Sequence, residues 1–141
     1  MAETSRTVAI ARAAPGHVVA SNVRGGTMRI GGGDQDFTPT ELLLAAIGSC
    51  TALDVDALTS RRAEPEAFEG RVDAEKIRDE QGNRLIDIVV TFGISFPQGD
   101  AGDAARTILP DAVRKSHDRL CTVGRTIELG TPIENRISVV E

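Results

Sequence analysis

The chain holds two cysteines, Cys50 and Cys121, and two histidines, His17 and His117. Cys50 stands in the run Leu42 to Val55, which is apolar almost throughout. On a helix, Leu43, Ala46, Ile47, Cys50 and Leu53 share one stripe. Taken alone, such a cysteine reads as a small core hydrophobe, the usual fate of a buried free thiol. Cys121 changes the reading. Arg114, Lys115, Arg119 and Arg125 flank it, and cations favour thiolate over thiol. The other reading of that stretch is a solvated charged face. A helix starting after Cys121 would also favour negative charge there. Two thiols, one in an apolar run and one in a cationic run, suit peroxide reduction. One thiolate attacks the O–O bond and becomes a sulfenic acid, and the second thiol condenses with it to a disulfide. An external thiol then regenerates both. Apolar burial opposes ionisation of the attacking sulfur, so an arginine beside it is needed.

His117 lies four residues before Cys121, on the same side of a helix. It is a candidate to polarise Cys121 or carry a proton. The alternative is a helix-end histidine answering the dipole. A zinc site from Cys50, Cys121 and His117 lacks any close Cys-x-x-Cys pair, and no metal is expected. Gly31-Gly32-Gly33 lacks the lysine and the spacing of a phosphate loop, and reads as a loop ahead of a helix. Ser49 has no histidine–acid arrangement around it. Asp54 and Asp56 are expected to be solvated or paired with Arg61 and Arg62.

The elements that position these residues read in the order strands, helix, strands, helix, strand. Arg6 to Ile30 reads as a three-strand meander, with Pro15-Gly16 and Gly25-Gly26 at its turns. Thr38-Pro39-Thr40-Glu41 is a helix start, with a capping threonine, proline at the first helical position and glutamate three residues after the cap. That helix is expected to run to about Thr59. It is apolar almost all round, so it should be buried all round, and a second subunit is the natural cover in so short a chain. A hairpin follows. Phe68, Gly70, Val72 and Ala74 alternate with charged residues. Gln81-Gly82-Asn83 is the expected turn, and Ile86, Ile88, Val90, Phe92, Ile94 and Phe96 form an inner face. A second helix is expected over Asp103 to His117, kinked or divided at Pro110, then a short helical turn after Cys121 and a last strand from Ile133 to Val140. The class is α+β, antiparallel sheet with two main helices, in one domain over 1–141.

Composition narrows the function. A net charge of −5 in 141 residues disfavours a nucleic-acid partner, which wants a basic face. Four Phe and no Trp or Tyr give no base-stacking platform. The longest unbroken apolar run, Leu42 to Ile47, falls short of the roughly 18 residues of a membrane span, so no membrane partner is expected. Met1-Ala2-Glu3-Thr4 does not read as a secretory leader. A cytoplasmic home follows as the expectation, where a reactive disulfide is more to be expected than a structural one.

Two stretches carry a family resemblance. Residues 38–52, from Thr38-Pro39-Thr40-Glu41 through Gly48-Ser49-Cys50-Thr51-Ala52, resemble the first cysteine helix of the OsmC/Ohr family, the osmotically inducible and organic hydroperoxide resistance proteins. Ser116-His117-Asp118-Arg119-Leu120-Cys121-Thr122-Val123 resembles the family's second cysteine segment. The resemblance spans roughly 35–137. It implies an intertwined homodimer with the cysteine helices buried at its centre. It implies a thiol peroxidase for organic hydroperoxides in oxidative-stress defence, without metal or haem. Cys50 would be peroxidatic and Cys121 resolving, with an external dithiol of the dihydrolipoyl type as reductant. The family's better-known peroxidase branch has glutamate directly after the helix-starting proline, paired with an N-terminal arginine. Here Thr40 takes that place and Glu41 comes one residue later, about 100° round the helix, which suits a cap. The pattern is closer to the OsmC-like branch. Arg12 is the best placed arginine, with Arg24 and Arg29 as rivals. Leu43, Ile47 and Phe37 are candidate apolar walls. The competing function is a dimeric binding protein for a small apolar ligand, its cysteines inert.

Overall fold

The structure, a computed structural model, describes residues 4–32 and 34–139. Met1, Ala2 and Glu3 of the leader reading, Gly33 of the glycine loop and Val140 of the last expected strand lie outside it. The chain forms two compact units, Met1–Ala45 and Ala46–Glu141, and the boundary falls inside a helix.

In the first unit, β1 (Ala9–Ala14), β2 (His17–Ser21) and β3 (Thr27–Gly31) form the expected antiparallel meander in the order β1-β2-β3. Gly16 turns the first corner with a positive φ of 76°. Asn22 shapes the second, its side-chain oxygen accepting from the N–H groups of Arg24 and Gly26. Asp36 ties the following loop back to the sheet, accepting from Arg29 Nε at 2.8 Å and meeting His17 Nδ1 at 3.0 Å.

Helix α1 (Pro39–Thr59) starts as its sequence dictates. Glu41 N–H donates to Thr38 Oγ1 at 3.1 Å, and Thr38 N–H donates back to Glu41 Oε1 at 2.9 Å. This is a reciprocal capping box that satisfies two otherwise unpaired donors. Burial all round is not what this chain alone provides: among its described residues α1 buries only Ile47, Val55 and Thr59, and Leu53 is 70% exposed. By length and composition α1 is also apolar enough to cross a membrane. The apolar-run criterion missed this because Gly48, Ser49 and Thr51 interrupt the run without adding charge.

In the second unit, β4 (Ala67–Asp79) and β5 (Gly82–Ser95) form a long antiparallel hairpin. Its turn is tighter than expected. Asp79 pairs with Gly82, Gly82 takes φ 102°, and Asp79 Oδ1 accepts from Gln81 N–H, so Glu80 and Gln81 make the corner. The register slips near Ala74, with Asp87 at φ 54° on the bulged strand. Beyond the bulge the expected alternation holds, and Ile88, Val90, Phe92 and Ile94 are half-buried. Phe92 lies over Gly70 and meets Phe68 edge-on at 5.8 Å. The C-terminal part of α1 packs on this hairpin, close enough that a Cβ on Gly48 would sit 2.6 Å from Val72 Cγ2.

Helix α2 (Asp100–Lys115) runs unbroken through Pro110, so the expected division does not occur. Proline there forgoes the one bond to the Arg106 carbonyl, and packing carries the rest. Ala105 packs with Ala63 and Phe96 in the core, joined by Ile94 and Leu109. A five-residue π-helical turn, Ser116–Leu120, leads to Cys121, and α3 (Thr122–Glu128) follows. The last expected strand is absent: residues 131–139 carry no regular structure, and Ile133, Ile137 and Val139 are exposed. A strand exists only where a neighbour pairs its backbone, and this tail has none in the described chain. The class is α+β, as expected, with α3 as the short third helix.

Candidate active site

Within the second unit, α1 and the turn before α3 bring the two cysteines together. Cys50 is half-buried and Cys121 is 2% exposed, and both are free thiols. The Cys50 thiol feels the neighbouring Cys121 thiol and the Val123 N–H two residues beyond it. Cys121 caps α3, its Sγ accepting from Gly124 N–H at 3.2 Å. The Gly124 N–H is thus directed at Cys121, and the Val123 N–H beside it favours the Cys50 thiolate. Gly124 permits this approach, since even a methyl there would sit 3.3 Å from Cys121 Sγ.

Burial pushes the Cys50 thiol above its ordinary value of 9.0. The Cys121 thiol and the Asp54 carboxylate push the same way, and only the Val123 N–H opposes them. Two of the cations flanking Cys121 face carboxylates instead. Arg114 donates to Asp111 at 2.6 Å and Arg125 to Glu128 at 2.7 Å.

Beside Cys121 opens a cavity of about 500 Å³. Ile47, Ile88, Val90, Phe92 and Val113 give it an apolar floor, and Arg114, His117 and Glu128 bring charge to its lining. His117 does not serve Cys121 directly. Its Nδ1 meets Asp118 Oδ1 and its Nε2 meets Glu128 Oε1, both at 2.9 Å. These two carboxylates raise its pKa above the ordinary 6.5. Glu41 is occupied in the capping box. Arg12 lies in the first unit, on β1 opposite Val18, with its side chain exposed. Its rival Arg29 is engaged by Asp36. Leu43 and Phe37 also belong to the first unit, where both are exposed. Among the described residues no group of three or more His, Cys, Asp or Glu side chains is arranged to hold a metal ion.

Asp54 is the residue that sequence reasoning misplaced. Among the described residues it pairs with neither Arg61 nor Arg62, but accepts from Ser116 Oγ at 2.8 Å, across 62 positions of chain. Ser116 is fully buried. The one available signal was spacing: Asp54 is one turn after Cys50, on the same face.

The family model for OsmC-like proteins matches residues 31–136. The chain belongs to the OsmC-like family. It is similar to an uncharacterized protein of Mycobacterium tuberculosis, with 28% identity over 118 residues, covering 82% of this chain and 83% of the relative. Among solved structures it resembles an OsmC-like protein of unknown function from Vibrio cholerae, with a TM-score of 0.74 at 11% identity, covering 89% of this chain and 94% of the other. It also resembles the organic hydroperoxide resistance protein of Bacillus subtilis, with a TM-score of 0.54 at 17% identity, covering 89% and 92%. At these identities the OsmC-like structures share its fold.

Proposed function

We propose that this OsmC-like protein is a thiol peroxidase for organic hydroperoxides, acting in oxidative-stress defence, with Cys50 peroxidatic and Cys121 resolving. The observation that carries the reading is the pair of free thiols brought close enough for Cys121 to act on the ionisation of Cys50, with Cys121 lining an apolar cavity. The Cys50 thiolate attacks the outer oxygen of ROOH. The O–O bond breaks, ROH leaves after taking a proton, and sulfur is oxidised to the sulfenic acid. Cys121 displaces water from that sulfenic acid to close the disulfide. An external dithiol, of the dihydrolipoyl type by the family resemblance, reduces the disulfide and is itself oxidised to a disulfide. No bound cofactor enters this scheme.

The raised Cys50 thiol needs a cation to reach its reactive form. Arg12 is proposed for that role on the family resemblance, with His117 and Glu41 as supporting residues. The homodimer is proposed too, because an apolar helix with Leu53 70% exposed calls for cover, and a cytoplasmic setting would keep both thiols reduced. Peroxide consumption with a dithiol, wild type against Cys50→Ser, tests the reading. Equal rates would remove it.

One observation favours a second reading. A roomy apolar cavity lined by Cys121 and not by Cys50, with the Cys50 thiol held above its ordinary range by burial, also suits a carrier of a small apolar ligand with inert cysteines. Thiol titration after exposure to an organic hydroperoxide separates the two. Loss of both thiols supports the peroxidase, and retention of both supports the carrier.

A further inference from the structure

The two cysteine segments are joined by more than their sulfurs. Asp54 leaves α1 one turn after Cys50, and its Oδ2 accepts from Ser116 Oγ at 2.8 Å. Ser116 is fully buried at the start of the π-helical turn. Its carbonyl in turn accepts from the Cys121 N–H at 2.8 Å. A single serine therefore connects the helix of one cysteine to the backbone of the other. The Val123 N–H, two residues after Cys121, favours the Cys50 thiolate.

We propose that Asp54 is a positioning residue of the thiol pair: held by Ser116, its carboxylate locks the Cys121 segment onto the Cys50 helix and lays a negative charge beside the Cys50 sulfur. The proposal rests on Cys50 and Cys121 working as a pair. The geometry gives Asp54 two separable duties. Its oxygen accepts a buried hydrogen bond, which fixes where Cys121 sits. Its charge opposes thiolate formation at Cys50, in the same direction as burial. The titratable groups facing Cys50 are Asp54 from its own helix and Cys121 from the segment opposite, and both work against ionisation. In the resting state the pair is seated for closure while the attacking sulfur stays protonated, so a cation or an incoming polar ligand must tip it.

The two duties come apart by substitution. Asp54→Asn keeps an oxygen to accept from Ser116 and removes the charge. Asp54→Ala removes both. Ser116→Ala removes the bond and keeps the charge. Alkylation of Cys50 by iodoacetamide, read by peptide mass across pH, reports the charge. Closure of the Cys50–Cys121 disulfide by diamide reports the seating, and neither readout needs peroxide turnover. Charges one helical turn apart, about 6 Å, couple by about three-fold in an equilibrium even under water-like screening. Asp54→Asn should therefore alkylate at Cys50 about three-fold faster near neutral pH, with its profile displaced toward acid, and should close its disulfide at the wild-type rate. Asp54→Ala and Ser116→Ala should close about ten-fold more slowly, as expected when a buried hydrogen bond of about 1.4 kcal/mol is lost. An Asp54→Asn profile superimposed on wild type, or wild-type closure in Ser116→Ala, overturns the proposal. Failure of wild type to consume peroxide, with these thiol readouts as expected, removes the peroxidase reading alone.

Discussion

Replacing Gly102 by alanine should destabilise the protein, against the ordinary preference of helices. Gly102 is buried near the start of α2. A Cβ there would lie 1.6 Å from the Pro97 carbonyl oxygen and 2.8 Å from its carbon. A carbon normally stays about 3.3 Å or more from such an oxygen, so helix and strand end must part by about 1.7 Å. That movement strains the bonds by which Arg106 Nη1 and Nη2 hold the Phe96 and Pro97 carbonyls, at 3.1 and 3.4 Å. It also opens the contact of Phe96 with Ala63 and Ala105. Alanine returns about 1 kcal/mol of helix preference. Overpacking costs about 1–3 kcal/mol, and loosening the bonds from a charged donor about 1–2 kcal/mol more. The net expectation is a loss of about 2 kcal/mol, or about 6 °C in Tm for a chain of this size. Urea and thermal unfolding followed by circular dichroism measure it. An unchanged or raised midpoint would refute the reasoning, since that is what an unobstructed helical glycine gives. Gly48→Ala is the internal comparison: its obstacle is a side-chain methyl of Val72, and it should lose less than half as much.

Glu41→Ala breaks half of the capping box and should cost about 1 kcal/mol in urea unfolding with no change in slope. Leu53→Glu puts a charge on the most exposed large apolar side chain of α1. It should convert the proposed dimer to monomer in sedimentation, and a wild-type chain that sediments as a monomer would refute the dimer. His117 has a raised pKa because Asp118 and Glu128 hold it, so its contribution is present in full below about 6.5 and lost as pH rises through the folded value. Both carboxylates have lowered pKa values and stay charged across that window. The stability difference between wild type and His117→Gln should therefore be largest near pH 5.5 and vanish at alkaline pH, and a difference that grows with pH would refute the pairing.

Local chemistry made much of this structure legible in the residues. Thr38, Pro39 and Glu41 define the start of α1 because capping is decided within four positions. The alternation from Ile88 to Ile94 survives because a pleated strand enforces it. The cysteine pairing was readable through family resemblance, since no local rule brings Cys50 to Cys121. What escaped depends on distant partners. Asp54 finds Ser116 only through the packing of α1 against the end of α2. Pro110 stays helical because neighbouring turns and packing outweigh one lost bond. The Ile133 tail has strand-like residues but no strand beside it. The described chain leaves much of α1 uncovered for the same reason, and the homodimer proposed above would supply that cover.

The π-helical turn gives the second cysteine its phase. Its closing bond spans five residues, from the Cys121 N–H to the Ser116 carbonyl, where an α-helix would span four. One residue is thereby wound into the turn without lengthening the path, and it advances Cys121 by about 100°. Deleting a single residue from 118–120 would restore an even winding and swing the sulfur off its bearing while leaving every flanking element intact. The side chains of this stretch are mostly exposed and free to change, but the number of residues in it sets where the Cys121 sulfur points.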